Sequence, residues 1–193
     1  MNKQISYSVT AGGNANFLRT FAIPLADELA KLEETRHVEI PEKNIFKHDS
    51  RPKNLDLVTA GFFGVVLFLP GWFAVKVIDE IYDIKIKPLV RKVIHKADSI
   101  EIFSKRKNKK VFALSVFHEG MDVLVIVAIK EESIKNLDAG LENLSSIHAA
   151  ANNIIQTGKH KNEVHLYVLS EGKVNVQPYI HNNVESAHKQ INT

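Results

Sequence analysis

Apolar and polar residues alternate between Lys3 and Thr10, with Ile5, Tyr7 and Val9 on one side. A period of two predicts a strand there. Gly12-Gly13-Asn14 ends it, and a helix is expected next, with Pro24 in its first turn, where a missing N–H costs nothing. Leu25, Leu29 and Leu32 form its apolar stripe, and Asp27, Glu28, Glu33 and Glu34 its wet side. Residues 35–54, with Pro41, Pro52 and scattered charges, read as irregular connection.

The pattern then changes. From Leu57 to Val77 the chain reads LVTAGFFGVVLFLPGWFAVKV, and its first charge is Lys76. Pro70-Gly71 divides the stretch and predicts a turn or kink. Beyond it Val77, Ile78, Ile81 and Ile84 recur at helical spacing, with Lys76, Asp79, Glu80, Asp83 and Lys87 on the other face. The reading is two helices, over Leu55–Leu69 and Trp72–Lys96, joined in an apolar helical hairpin around Pro70-Gly71, with Pro88 able to bend the second.

In the second half, Ser99–Ser104 is expected as a short strand and SKRKNKK, Ser104–Lys110, as a basic turn. VFALSVF and VLVIVAI form a hairpin around Glu119-Gly120, and VHLYVLS and KVNVQPYI a second around Glu171-Gly172. Between them Glu132–Thr157 is a helix, with Ile134, Leu137, Leu141, Leu144, His148, Ala151 and Ile155 on one face. The two strand–Glu-Gly–strand units share a layout but little sequence.

The expected fold is therefore α+β, in the order β-α-α-α-β-β-β-α-β-β. Its sheet is mostly antiparallel, built from the two hairpins plus Lys3–Thr10 and Ser99–Ser104. Helices cover both faces, the apolar pair on one and Glu132–Thr157 on the other. Residues 1–181 are expected to form a single domain and 182–193 a polar C-terminal tail. A parallel sheet is disfavoured, because only the helices near residues 25 and 145 offer crossovers.

The apolar stretch has two possible homes. Leu57–Leu69 alone makes only about 20 Å of helix, short of the ~30 Å hydrocarbon core of a bilayer. Lys43, Lys47, Arg51 and Lys53 precede it, and Lys85, Lys87, Arg91, Lys92 and Lys96 follow. Cations on both flanks favour both ends on one side of a membrane, against a single span. In VFALSVF both alternating faces are apolar, so that strand needs cover on both sides. The expectation is that the hairpin serves as core or subunit interface. Anchoring in a membrane through Leu57–Val75, with Leu57, Phe62, Phe63, Phe68, Trp72 and Phe73 at its centre, is the alternative.

Composition narrows the chemistry. The 193 residues are enough for a real core, and 45% hydrophobic with 24% charged residues is the ordinary globular balance. With no cysteine there is no disulfide, thiolate site or Cys nucleophile. A net charge of +3 permits an anionic partner without requiring one. The N-terminus MNKQISYSVTAGG has no apolar core of signal-peptide length, so secretion by that route is not expected. A cytoplasmic location, at most on the cytosolic face of a membrane, is the expectation.

Lys105, Arg106, Lys107, Lys109 and Lys110 form the one dense basic run, a candidate contact for anions or lipid headgroups. As a solvated turn, the same lysines would discourage edge pairing. Nine histidines are scattered without HxH or HExxH, and His160 and His165 share no helical face, so no metal ligand set is assigned. His118-Glu119 at a hairpin tip is a candidate acid–base pair, and Asp79, Glu80 and Asp83 a candidate acidic face. Gly12-Gly13-Asn14 lacks the rest of a P-loop or dinucleotide fingerprint, and no GxSxG elbow is present. The sequence therefore points to a non-enzymatic α+β binding or interaction module with no catalytic residue and no cofactor. Its expected partner is another protein or a second copy, with a membrane as the second option; nucleic acid is not expected. An enzyme using His118 and Glu119, or the acidic face, is the third reading. It requires those residues to converge on a concave pocket.

Overall fold

The computed structural model describes residues 5–13, 15–33, 35–46, 59–69, 79–99, 109–157, 159–175 and 177–192. The strands are β1 (Ile5–Gly13), β2 (Thr35–His37), β3 (Thr59–Leu69), β4 (Lys109–His118), β5 (Val123–Glu131), β6 (Glu163–Ser170), β7 (Lys173–Val174) and β8 (Tyr179–His181). The helical runs are α1 (15–29), α2 (79–98), α3 (134–155) and α4 (Val184–Asn192). Leu18–Ala22 in α1 and Asp79–Ile86 in α2 are π-helical, and Leu141–Asn143 in α3 tightens to 3₁₀.

The strands make one sheet in the order β2-β1-β3-β4-β5-β6-β7, with β8 also paired to β6. It is mixed, not mostly antiparallel. The pairs β1–β2, β3–β4 and β5–β6 are parallel, and β1–β3, β4–β5, β6–β7 and β6–β8 are antiparallel. The difference originates in the apolar stretch. Residues 59–69, expected as helix, are a central strand buried between β1 and β4. Apolar side chains on every side of a segment fit a buried helix and a buried strand equally well. Here the aromatic Phe62-Phe63 and β-branched Val65-Val66 pairs favour the strand. Gly64 has a packing reason, because a Cβ there would lie 2.4 Å from the Ala113 carbonyl oxygen.

With β3 a strand, α2 becomes the crossover between β3 and β4, and α3 the crossover between β5 and β6. Pro88 lies in the first turn of the regular α-helical part of α2, directly after its π-helical part. Pro70, Gly71 and the expected strand residues 100–104 lie outside the described residues.

α1, α2 and α3 all pack on the first face of the sheet, against Phe63, Val65, Leu67, Phe112, Leu114, Val125 and Val127. This corrects the expectation that α3 covers the face opposite the other helices. Phe17 and Phe21 of α1 meet Phe63, which in turn meets Phe112, with Phe17–Phe21 centroids 4.6 Å apart, Phe21–Phe63 4.9 Å and Phe63–Phe112 5.1 Å. Such ring pairs add about 0.5–1.5 kcal/mol each beyond their area. The second face carries a smaller core of Val66, Phe68, Phe117, Leu124, Ile126, Val164 and Leu166. Residues 38–46 and α4 cover it, burying Ile45, Ala187 and Ile191. No helix among the described residues is long and apolar enough to cross a membrane.

Candidate functional site

Two places concentrate features that packing alone does not require. The first is a cavity of about 350 Å³ on the second face. Its floor is a cross-strand row in which Val66, Ser115 and Ile126 are register partners on β3, β4 and β5. Ser115 is the small member of that row. Phe62 and His188, their rings 4.7 Å apart, stand on one side, with Val184 beside them on α4. Ile40 and Phe46 contribute from the connection after β2. The lining is apolar except for Thr10, Ser115 and His188. A second cavity, about 440 Å³, opens beside the β6–β7 turn, lined by Glu131, Asn136 and Gly172 among others. Of its two glutamates, Glu131 and Glu171, the first is already engaged, because the Glu171 amide donates to Glu131 Oε1 at 2.6 Å.

The second place is a group of histidines under the first face. Strand alternation puts Glu163 and His165 on the same side of β6. Asn162, with φ 55°, turns the chain so that His160 folds back over them. Glu163 Oε2 lies 2.9 Å from His160 Nδ1 and 3.1 Å from His165 Nε2. The two imidazoles meet edge to face with centroids 4.8 Å apart. His165 is fully buried, its Nδ1 has no hydrogen-bond partner among the described residues, and His160 and Glu163 are half-buried. Burial lowers the His165 pKa despite the Glu163 carboxylate beside it. Burial alone would raise that of Glu163, but hydrogen bonds from His160 and His165 outweigh it and hold the carboxyl below its usual range.

Two more buried histidines lie close by. His118 ends β4, and burial, helped by the charge of His165, pushes its pKa down to about 4. His148 on α3 donates from Nε2 to the Leu114 carbonyl at 3.0 Å. Its burial lowers the pKa to about 3, against that hydrogen bond and with a further push from His118.

The residues singled out in the sequence end up elsewhere. His118 is 3% exposed and points into the core, while Glu119 is exposed on the loop. Glu80 is exposed and Asp83 pairs with Lys87 at 2.8 Å. None of these four lines either cavity. Lys109 is half-buried, and Lys110 is buried with Nζ donating to the Glu132 carbonyl at 2.6 Å. Phe63 and Phe68 fill the two cores, and Phe62 lines the second-face cavity. Leu57, Trp72, Phe73, Lys105, Arg106 and Lys107 lie outside the described residues, as does the side chain of Asp79.

Sequence reading passed over His160, Glu163 and His165 by looking for shared helical faces. The i, i+2 spacing of Glu163 and His165 in an apolar strand was the available signal; the turn at Asn162 was not. The chain matches no protein-family model, no curated protein and no solved structure.

Proposed function

We propose that this chain is a non-catalytic binding module that holds a compact, mostly apolar molecule in the second-face cavity. The observation that carries the reading is the cavity itself. Its volume suits a small ligand, its walls are chiefly aliphatic and aromatic, and a few polar groups stand ready to orient an occupant. Its wall is built from elements distant in the chain, including α4, the connection after β2, and three central strands. A reading as an enzyme draws no support from His118, Glu119, Glu80 or Asp83, which face different surroundings.

The test is a titration with an environment-sensitive apolar dye, read by fluorescence, on the full chain and on Ser115→Phe, which fills the floor. Val184→Trp, at the rim on α4, serves if the first variant fails to fold. Saturable binding of one dye per chain, weakened at least tenfold by either folded variant, is expected. Equal dye binding in the parent and a folded variant, or no saturable binding at all, rejects the reading.

A further inference from the structure

We propose that His160, Glu163 and His165 form a binding site for a divalent transition-metal ion of the zinc type, independent of the second-face cavity. Two imidazoles and one carboxylate are the donor set such ions take, and three protein ligands leave a further position for water or another ligand. One ligand atom from each of His160, Glu163 and His165 lies within 4.8 Å of the other two. Two of the three separations, 2.9 and 3.1 Å, are already near the ~3.3 Å edge of a tetrahedron with ~2.0 Å bonds. Closing the third separation needs only a small movement of His160, which stands before the strand rather than in it.

Burial strengthens the assignment. His165 sits in the floor of the site with no solvent exposure, and among the described residues its ring hydrogen-bonds only to the carboxylate oxygen it shares with His160. A metal gives both nitrogens and that oxygen one common partner. His160 and Glu163 are half-exposed, so the open coordination position faces the side from which an ion arrives. The ligands span only residues 160–165, and the ion would fix the start of β6 to the turn before it.

The experiment uses the full chain, stripped with a chelator and titrated with Co²⁺ and then Zn²⁺. Cobalt bands in the visible spectrum report coordination by the protein, and thermal unfolding reports stabilisation. One equivalent of Co²⁺ displaced by Zn²⁺ is expected. His160→Ala and Glu163→Gln, both at half-exposed positions, are each expected to weaken Zn²⁺ binding at least tenfold and to remove the Zn²⁺-dependent rise in unfolding temperature. His95→Ala, an exposed histidine on α2, is expected to change neither. If His160→Ala and Glu163→Gln bind Zn²⁺ as the parent does, any ion lies on other histidines and the assignment fails. Failure to bind one equivalent overturns it too and leaves the trio as a hydrogen-bonded cluster. Neither result bears on the dye titration.

Discussion

Two Glu-Gly dipeptides sit at the hairpin ends, and only one of them needs its glycine. At the β6–β7 turn Glu171 has φ 53° and Gly172 φ 73°, the left-handed pair of a two-residue hairpin. In the β4–β5 loop the left-handed residue is Asp122, φ 52°, which also pairs with Lys43. No atom of the described residues lies within 4 Å of a Cβ placed on either Gly120 or Gly172, so space does not distinguish them. Backbone conformation does. Gly172→Ala is expected to cost about 1 kcal/mol from the left-handed penalty. Gly120→Ala is expected to be neutral, or stabilising by about 0.4–1 kcal/mol through the unfolded chain. Urea unfolding of both variants checks this, and equal shifts would sink the argument. The sequence located both turns but not this difference, because φ is set by how the strands arrive.

Between elements, α2 and α3 are joined in two ways of unequal value. The Tyr82 hydroxyl, fully buried in α2, donates to the Leu141 carbonyl in the 3₁₀ joint of α3 at 3.1 Å. Arg91 reaches Asp138 at 2.8 Å and also Glu142, but on the surface, where side-chain exposures are 35%, 24% and 52%. Surface ion pairs are worth about 0–1 kcal/mol and weaken with salt. The Leu141 carbonyl also accepts from the Leu144 N–H, so losing the buried Tyr82 hydroxyl removes one hydrogen bond, worth about 0.5–1.5 kcal/mol. Tyr82→Phe is therefore expected to destabilise more than Arg91→Ala, and only the Arg91 effect should shrink in 1 M salt. Chemical denaturation of both variants at low and high salt decides it. Helical periodicity located α2 from residue 79 onward and α3 almost to its ends. It could not show that α3 breaks at Leu141–Asn143, or that its joint faces Tyr82.

At the scale of the molecule, His118 and His148 are neutral inside the core, with pKa values pushed to about 4 and about 3. Unfolding restores values near 6.5, so the unfolded chain binds more protons below that pH. The stability these neutral histidines contribute is complete above pH 6.5. It is lost as pH falls from there toward the folded values, by up to about 1.4 kcal/mol per pH unit for each. Between pH 7.5 and 5.0 the parent is expected to lose about 2 kcal/mol more stability than His148→Leu, measured by urea unfolding at the two pH values. Parallel pH profiles would place His148 outside the buried neutral set. The helix layer is also a property of the whole. Both crossovers step the same way across the sheet while their strand pairs run in opposite directions, so helices on one face give them opposite hands. Two right-handed crossovers would put α2 and α3 on opposite faces.

The sequence by itself determined what local physics controls. Alternation set β1, short apolar runs beside turn signals set β4, β5 and β6, a 3.6-residue stripe set α3 and much of α2, and Glu-Gly marked the loops between paired strands. Tertiary structure decided what periodicity leaves open. A segment apolar on all sides has no amphipathic direction, so only its neighbours made 59–69 a central strand and the sheet mixed. The candidate sites belong to the same category. Val66, Ser115 and Ile126 meet through sheet register with α4 above them, and His160 reaches Glu163 and His165 through the turn at Asn162. Side chains are assigned by the sequence, but which of them face one another is fixed only when the strands pair and the helices choose a face.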